Sequence, residues 1–336
     1  MTVCAGERYN GRDGEARRGR HGPVQQKGVL VDYEAETLRR LQLAELEILR
    51  AVDEACSQLG IPYFLDGGTA LGAVRHGGFI PWDDDADVGM LRPHYERFLA
   101  EAPAVLGPRF VVASPRTHPQ MAGMFAKVML VGTAFQTRET LEAGFDQGVF
   151  VDVFPYDCLA SDSGVAARQQ RACRRQQSLS YLYHSKHITV PHGGVLGACE
   201  RLACRAAHWL VCSATSPQAI AARFGRAAAA GATRGGTAKA GGGVLAASSV
   251  SELGGLTEGQ AEPMTVEGSR WATLSYAGTA FPYEVLAPAR PIAFEGATLQ
   301  GPAQPEAFLE ALFGPTWTQL PPESQRRNHA PVHLEF

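Results

Sequence analysis

Four aspartates, Asp83, Asp84, Asp85 and Asp87, stand within five residues, inside the stretch YFLDGGTALGAVRHGGFIPWDDDADVGM at 63–90. Packing carboxylates so closely costs Coulomb energy unless a positive charge neutralises them. On a β-strand, Asp83, Asp85 and Asp87 share one face while Asp84 and Ala86 take the other. Three oxygen donors on one face suit a hard divalent cation, magnesium or manganese, shared with substrate phosphates. Ile80, Trp82, Val88 and Met90 make the run apolar at both ends, which places it within the fold. There, uncompensated carboxylates would be protonated or destabilising. Taken alone, the run is read equally well as a wet acidic loop or a cap ahead of the helix at Arg92.

The glycines upstream shift that balance. The strand-like IPYFL ends in Asp66-Gly67-Gly68-Thr69 and opens a helix. Bare amides at a helix N-terminus make a ready anion site. An anion cradle one short helix before an acidic strand is the minimal kit for a phosphate-bearing donor. Asp152 is the one polar residue inside GVFVDVF (148–154), and the same cation would partner it. The plainer reading of Asp152 is a buried aspartate that holds a loop. Asp157, after Pro155, reads as a turn residue.

Apolar residues at helical spacing from Leu38 to Leu59 predict a helix closed by Gly60. Strands are predicted at IPYFL, DDDADVGM (83–90), RFVVAS (109–114), MFAKVML (124–130) and GVFVDVF; short helices follow the glycines and begin at Arg92. Residues 163–230 read as mostly helical and 225–247 as a flexible Ala/Gly-rich segment. PIAFEGATLQGP predicts a hairpin turning at Glu295-Gly296, and PEAFLEALFG a last helix before a Pro-rich tail. The expected divisions are a disordered leader at 1–30, a catalytic core at 31–160 and a completing C-terminal part at 161–336.

With 336 residues, 45% of them hydrophobic, the chain can bury a large core. A net charge of -3 argues against nucleic acid as a partner. Seven cysteines without a framework suit reduced thiols and a cytoplasmic setting. Cys199, Cys204, His208 and Cys212 share one helical run; three ligands along one helix cannot surround a zinc ion, so packed thiols are the better reading. No stretch is long and apolar enough to span a membrane, and the N-terminus lacks the apolar core of a secretory signal. Peripheral association with a membrane stays open. His184, His187 and His192 read as a solvated helix end sooner than as a metal site, and the reach of His329 is not legible.

The motifs FLDGGTALGAVRHGGFIPWDDDADVGM, FVDVFPYD, Lys127 and Thr133 in AKVMLVGTAF, the FEG hairpin, FLEALFG and LPPESQRRNH together resemble the LicD family of phosphotransferases. That family is a branch of the nucleotidyltransferase superfamily that includes fukutin-type proteins. The resemblance implies an α/β (α+β) fold with a nucleotidyltransferase-like mixed β-sheet core flanked by helices, with helical and hairpin C-terminal additions. Gly67, Gly68 and Thr69 would contact phosphate, and Asp83, Asp85, Asp87 and Asp152 would bind magnesium, with Asp85, Asp87 and Asp152 catalytic. Arg75, His76 and Lys127 are candidate diphosphate ligands. The implied reaction moves a phosphorylated alcohol, of the phosphocholine or alditol phosphate type, from a CDP-linked donor to a glycan, teichoic acid or small-metabolite hydroxyl. Two alternatives remain: transfer of a whole nucleotide to an alcohol or amine, and a non-catalytic binding scaffold. The Ala/Gly-rich segment and the small Ala86 between acids depart from the family pattern.

Overall fold

The structure, a computed structural model, describes residues 33–185, 192–231, 268–276, 278–326, 328–329 and 331–336. The expected leader, His187 and the Ala/Gly-rich segment beyond Gly231 lie outside the described residues. Helix α1 (Ala35–Leu59) buries a stripe of Leu41, Ile48, Leu49, Val52 and Cys56. It ends where Gly60 turns left-handed (φ 61°) and donates to the carbonyls of Cys56 and Ser57, a conformation that suits glycine. There follow β1 (Phe64–Leu65), α2 (Gly67–His76), β2 (Asp87–Leu91), α3 (Arg92–Leu106), β3 (Phe110–Ala113) and β4 (Ala126–Leu130). Next come β5 (Ala134–Gln136), α4 (Arg138–Ala143), β6 (Phe150–Cys158), α5 (Ser163–His184), α6 (Gly194–Ala214) and α7 (Pro217–Ala228). The C-terminal part adds β7 (Arg270–Thr273), β8 (Ala280–Pro282), α8 (Tyr283–Leu286), β9 (Arg290–Phe294), β10 (Ala297–Gly301), α9 (Pro305–Phe313) and β11 (His333–Glu335).

The main sheet runs β1-β2-β6-β4-β3, with β7 joined to β6 and β8 to β7. Strands β2 and β6 are parallel, and the remaining pairs of this sheet are antiparallel. This mixed sheet flanked by helices is the expected α/β (α+β) core. Val151 and Val153 of β6 are fully buried, as a central strand requires. A second apolar cluster around Cys173, Ile220, Phe224 and Leu274 fastens α5 and α7 to the sheet's edge.

Three strand readings need correction. The acidic strand begins at Asp87, not Asp83; residues 83–86 lead into it without being strand themselves, after the turn at Pro81-Trp82. Strand β6 runs through Pro155 to Cys158, so Asp157 lies in the strand and not in a turn. Proline is tolerated here for a geometric reason. The Asp152 amide donates across to Ala86 beside β2, so odd-numbered residues of β6 face the other edge. On that edge β4 pairs as far as Val153 and β7 from Tyr156, so the missing proline N–H falls in the gap between them. The Pro-rich tail returns to the fold as β11, paired antiparallel with β5.

The expected flexible segment from 225 begins as helix, since α7 continues to Ala228. The hairpin β9–β10 turns at Glu295 (φ 50°) and Gly296 (φ 72°), both left-handed, as Glu-Gly in a tight turn implies. Among the described residues, no helix is long and apolar enough to cross a membrane.

Candidate active site

Helix α2 begins at Gly67 itself, so the two glycines form its first turn instead of preceding it. Asp66 is the N-cap: its Oδ1 accepts from the Gly67 amide (2.7 Å) and from the Tyr156 hydroxyl (2.8 Å). The other oxygen, Oδ2, is buried with no hydrogen-bond partner. Burial pushes the Asp66 carboxyl up to about 6, although the Tyr156 and Gly67 bonds pull it down. A Cβ on Gly67 would lie 3.0 Å from Asp87 Oδ2, and one on Gly68 would lie 2.8 Å from Asp83 Oδ2. Gly67 also has φ 48°, which disfavours any larger residue. The glycines therefore let the positive end of α2 close directly on the acids.

Although residues 83–86 are not strand, burial still alternates: Asp84 and Ala86 are fully buried, whereas Asp83, Asp85 and Asp87 are partly exposed. The Asp87 amide donates to Thr69 Oγ1 (2.8 Å), which fixes the register between α2 and β2. Thr69 is buried, so its hydroxyl positions the strand. Asp87 and Asp152 are register partners on the parallel strands, and their side chains leave the sheet on one face. Across the other edge Asp152 pairs with Lys127 in register, and Lys127 Nζ sits 2.6 Å from Asp152 Oδ1 and 3.4 Å from the Phe150 ring centre. Lys127 is thus a half-buried partner of an acid and not a solvated lysine. Burial, then Asp85 and Asp152, push the Asp87 carboxyl well above the usual range. Burial raises Asp152 to about 6 in spite of Lys127.

Asp84 does different work. Its Oδ2 accepts from the Tyr33 hydroxyl (2.8 Å), and the His329 amide donates to both of its oxygens (2.8 and 2.9 Å). His329 Nδ1 lies 3.1 Å from Asp84 Oδ1 and 3.5 Å from Asp85 Oδ2. Burial raises Asp84, but the His329 and Tyr33 hydrogen bonds outweigh it and leave the carboxyl below its ordinary value. Among the described residues, Asp84, Asp85 and His329 form the group whose ligand atoms all lie within 4.8 Å of one another. The four expected ligands, Asp83, Asp85, Asp87 and Asp152, do not form such a group. Asp84 is sealed from solvent and both of its oxygens are engaged, so it is the anchor of the tail. Asp85 is the member that joins this group to Asp87 and Asp152, whose charges both respond to it.

Sequence reasoning missed Glu45 on α1. It is 1% exposed, its Oε2 has no partner, and burial followed by the charges of Asp85, Asp84 and Asp83 raises it well above the carboxylate range. Its place within the apolar stripe of α1 was the available signal. Arg75 Nη1 donates to the carbonyls of Trp317 (3.1 Å) and Gln319 (3.2 Å), so it ties α2 to the tail. His76 Nε2 accepts from Arg75 Nε (3.0 Å) at the far end of α2 from the glycines. His76 thus stands at the far end of α2 from the glycines, whereas Arg75, although tied to the tail, still feels the charge of Asp83 beside Gly68.

His184 is buried, with ring nitrogens 2.7 Å from the Ser180 carbonyl and 2.8 Å from that of Pro119, and not at a solvated helix end. His192 pairs with Glu200 (2.7 Å). Cys212 and His208 face α5, but Cys199 is exposed, which corrects the packed-thiol reading for that residue. A hollow of about 290 Å³ lined by Arg40, Leu43, Glu47, Thr133 and Phe336 holds none of these acids.

A divalent cation fits this site. The donors are hard carboxylate oxygens, they outnumber the cations beside them, and the buried oxygens of Asp66 and Glu45 lack partners.

Residues 60–177 match the LicD/FKTN/FKRP nucleotidyltransferase domain. Similar proteins include lipopolysaccharide cholinephosphotransferase LicD of Haemophilus influenzae, 34% identical over 151 residues, covering 41% of this chain and 51% of that protein. Human ribitol 5-phosphate transferase FKRP is 48% identical over 44 residues, 13% of this chain and 9% of that protein. An uncharacterized protein of Rickettsia typhi is 36% identical over 62 residues, 18% of this chain and 20% of that protein. The chain spans about half the length of the cholinephosphotransferase and less of the others.

Proposed function

We propose, from the premise that the chain belongs through residues 60–177 to the LicD/fukutin-type nucleotidyltransferase domain family, that it is a magnesium-dependent phosphotransferase. It moves a phosphorylated alcohol from a CDP-linked donor to a hydroxyl of a glycan or related acceptor. The observation that carries this reading is the pairing of Asp87 with Asp152 beside a glycine-built helix N-terminus. The names of two relatives, a cholinephosphotransferase and a ribitol 5-phosphate transferase, support the reaction class.

Asp83, Asp85, Asp87 and Asp152, not gathered as a ligand group here, would have to draw together to hold the cation, which when bound offsets charge on the donor diphosphate and on the leaving nucleotide. The Gly68 amide, next to the Gly67 amide already taken by the Asp66 cap, would cradle a donor phosphate at the positive end of α2. Thr69 and the Asp66 cap keep that turn in register with β2. Lys127 engages Asp152 Oδ1, which leaves Oδ2 as the oxygen that takes the proton of the acceptor hydroxyl. His329 and Tyr33 lock Asp84, which holds the acidic segment and the tail together.

The test is incubation with a panel of CDP-alcohols, with and without magnesium, in the presence of a polyol acceptor. Release of CMP that stops on chelation is the expected result. Release of pyrophosphate from CTP and an alcohol, with no CMP from any CDP-alcohol, would replace this reading with nucleotidyl transfer.

A further inference from the structure

Helix α6 presents its apolar face outward. Among its residues only Gly197 is buried, while Val195 (82%), Leu202 (69%), Trp209 (66%), Leu210 and Leu196 are exposed. Val195, Cys199, Leu202, Ala206 and Trp209 recur at helical spacing, so they form one stripe along the helix. The opposite side docks on α5, where His208 Nδ1 lies 2.8 Å from the Leu182 carbonyl and Cys212 donates to that of Tyr183. This orientation is inverted relative to an ordinary surface helix, which turns its polar side to water.

Charge identifies the occupant. Between Ser163 and Gly231 the chain carries nine Lys or Arg residues and a single acid, Glu200, whereas the whole chain is at -3. Arg201 and Arg205 are exposed on α6 itself, and Arg171 and Arg175 on α5. A second copy would bring two such basic surfaces face to face, which like-charge repulsion opposes. An anionic bilayer surface meets both features: aliphatic side chains and an indole enter the headgroup boundary, and arginines meet the phosphates. We propose that the α6 face is an interfacial docking surface for anionic lipid.

The inference goes beyond the proposed reaction and does not depend on it.

The experiment is co-sedimentation of the full chain with phosphatidylcholine vesicles and with mixed phosphatidylcholine–phosphatidylglycerol vesicles. Binding is expected to the mixed vesicles, to fall at least about tenfold in the Leu202→Glu, Trp209→Glu double variant, and to weaken with salt. Cys199 in the wild-type chain is expected to react with a water-soluble maleimide without vesicles and to be shielded by the mixed ones, read by peptide mass spectrometry. No binding to anionic vesicles, or undiminished binding by the double variant, overturns the proposal. So does a lipid-free dimer that the double variant dissolves, which would assign the face to a second copy. A lipid-free monomer whose Cys199 resists the maleimide would assign it to another segment of this chain. None of these readouts depends on CMP release, so failure here leaves the reaction standing, and the reverse.

Discussion

Asp152 and Asp157 both lie on β6, both are buried, and both face neighbours supplied by β2 or by the helix that follows it. Their surroundings are opposite. At Asp157, Arg92 Nε and Nη2 each approach a carboxylate oxygen at 2.8 Å, and Glu96 and Arg116 extend the network. At Asp152, a single lysine faces a carboxylate that also meets Asp85, with Asp87 abreast of it. One strand therefore carries a balanced charge network at one end and an unbalanced one at the other. A buried carboxylate kept for stability is given its guanidinium; one kept for chemistry is left short of positive charge.

The sharpest break of this comparison is Asp87→Asn. The substitution keeps shape and removes a charge that repels Asp85 and Asp152, so stability without a cation should hold or rise. CMP release should fall by about a thousandfold or more, equivalent to about 4 kcal/mol at 1.36 kcal/mol per tenfold. Turnover and a thermal melt on the same preparation check both. A variant that melts early, or that turns over at the wild-type rate, would place Asp87 in the same class as Asp157.

Asp157→Asn should do the reverse. It leaves Arg92 with only the more exposed Glu96 at a site where Asp157 is 1% exposed, and breaking a buried pair of this kind costs about 3–5 kcal/mol. Denaturant unfolding should show that loss, while CMP release per folded molecule stays within roughly twofold, since no reacting atom is touched. A selective loss of turnover with stability intact would mean that the paired end of β6 reaches the substrate.

What the sequence made legible follows the same division. The glycine turn, the alternation of Asp83, Asp85 and Asp87, and the lone Asp152 are local patterns, and the structure keeps them close together. The strand boundary at Asp87 was misread because alternation in burial survives in an extended segment that is not itself a strand. Asp157 was misread because Pro155 is a local turn signal, and only the gap between β4 and β7 makes a strand of it. His329, Tyr33 and Glu45 reach the acids from distant parts of the chain, and no spacing rule encodes such contacts. Arg75 and His76 follow the cradle in sequence but sit at the other end of α2, because a helix carries neighbours in sequence away from its N-terminus at about 1.5 Å per residue.

The unbalanced end also makes a pH prediction, of smaller size and definite sign. Burial holds Asp66 and Asp152 at about 6 in the folded chain, and it also raises Asp87 and Glu45 well above the ordinary carboxylate range, whereas unfolded carboxyls titrate near 4. Between those limits the folded state holds more protons than the unfolded one, so stability without a cation declines as pH rises from about 4 through about 6. Asp84 and Glu96, held below their ordinary values, act in the opposite sense but lose their contribution only at lower pH. The chelated chain should therefore melt a few degrees higher near pH 5 than near pH 7.5. Excess magnesium should raise the melting point at the higher pH and narrow the difference, because a cation then takes the place of the protons. A chelated chain more stable near pH 7.5 would mean that the acids at Asp87 and Asp152 are already balanced by the protein, as Asp157 is.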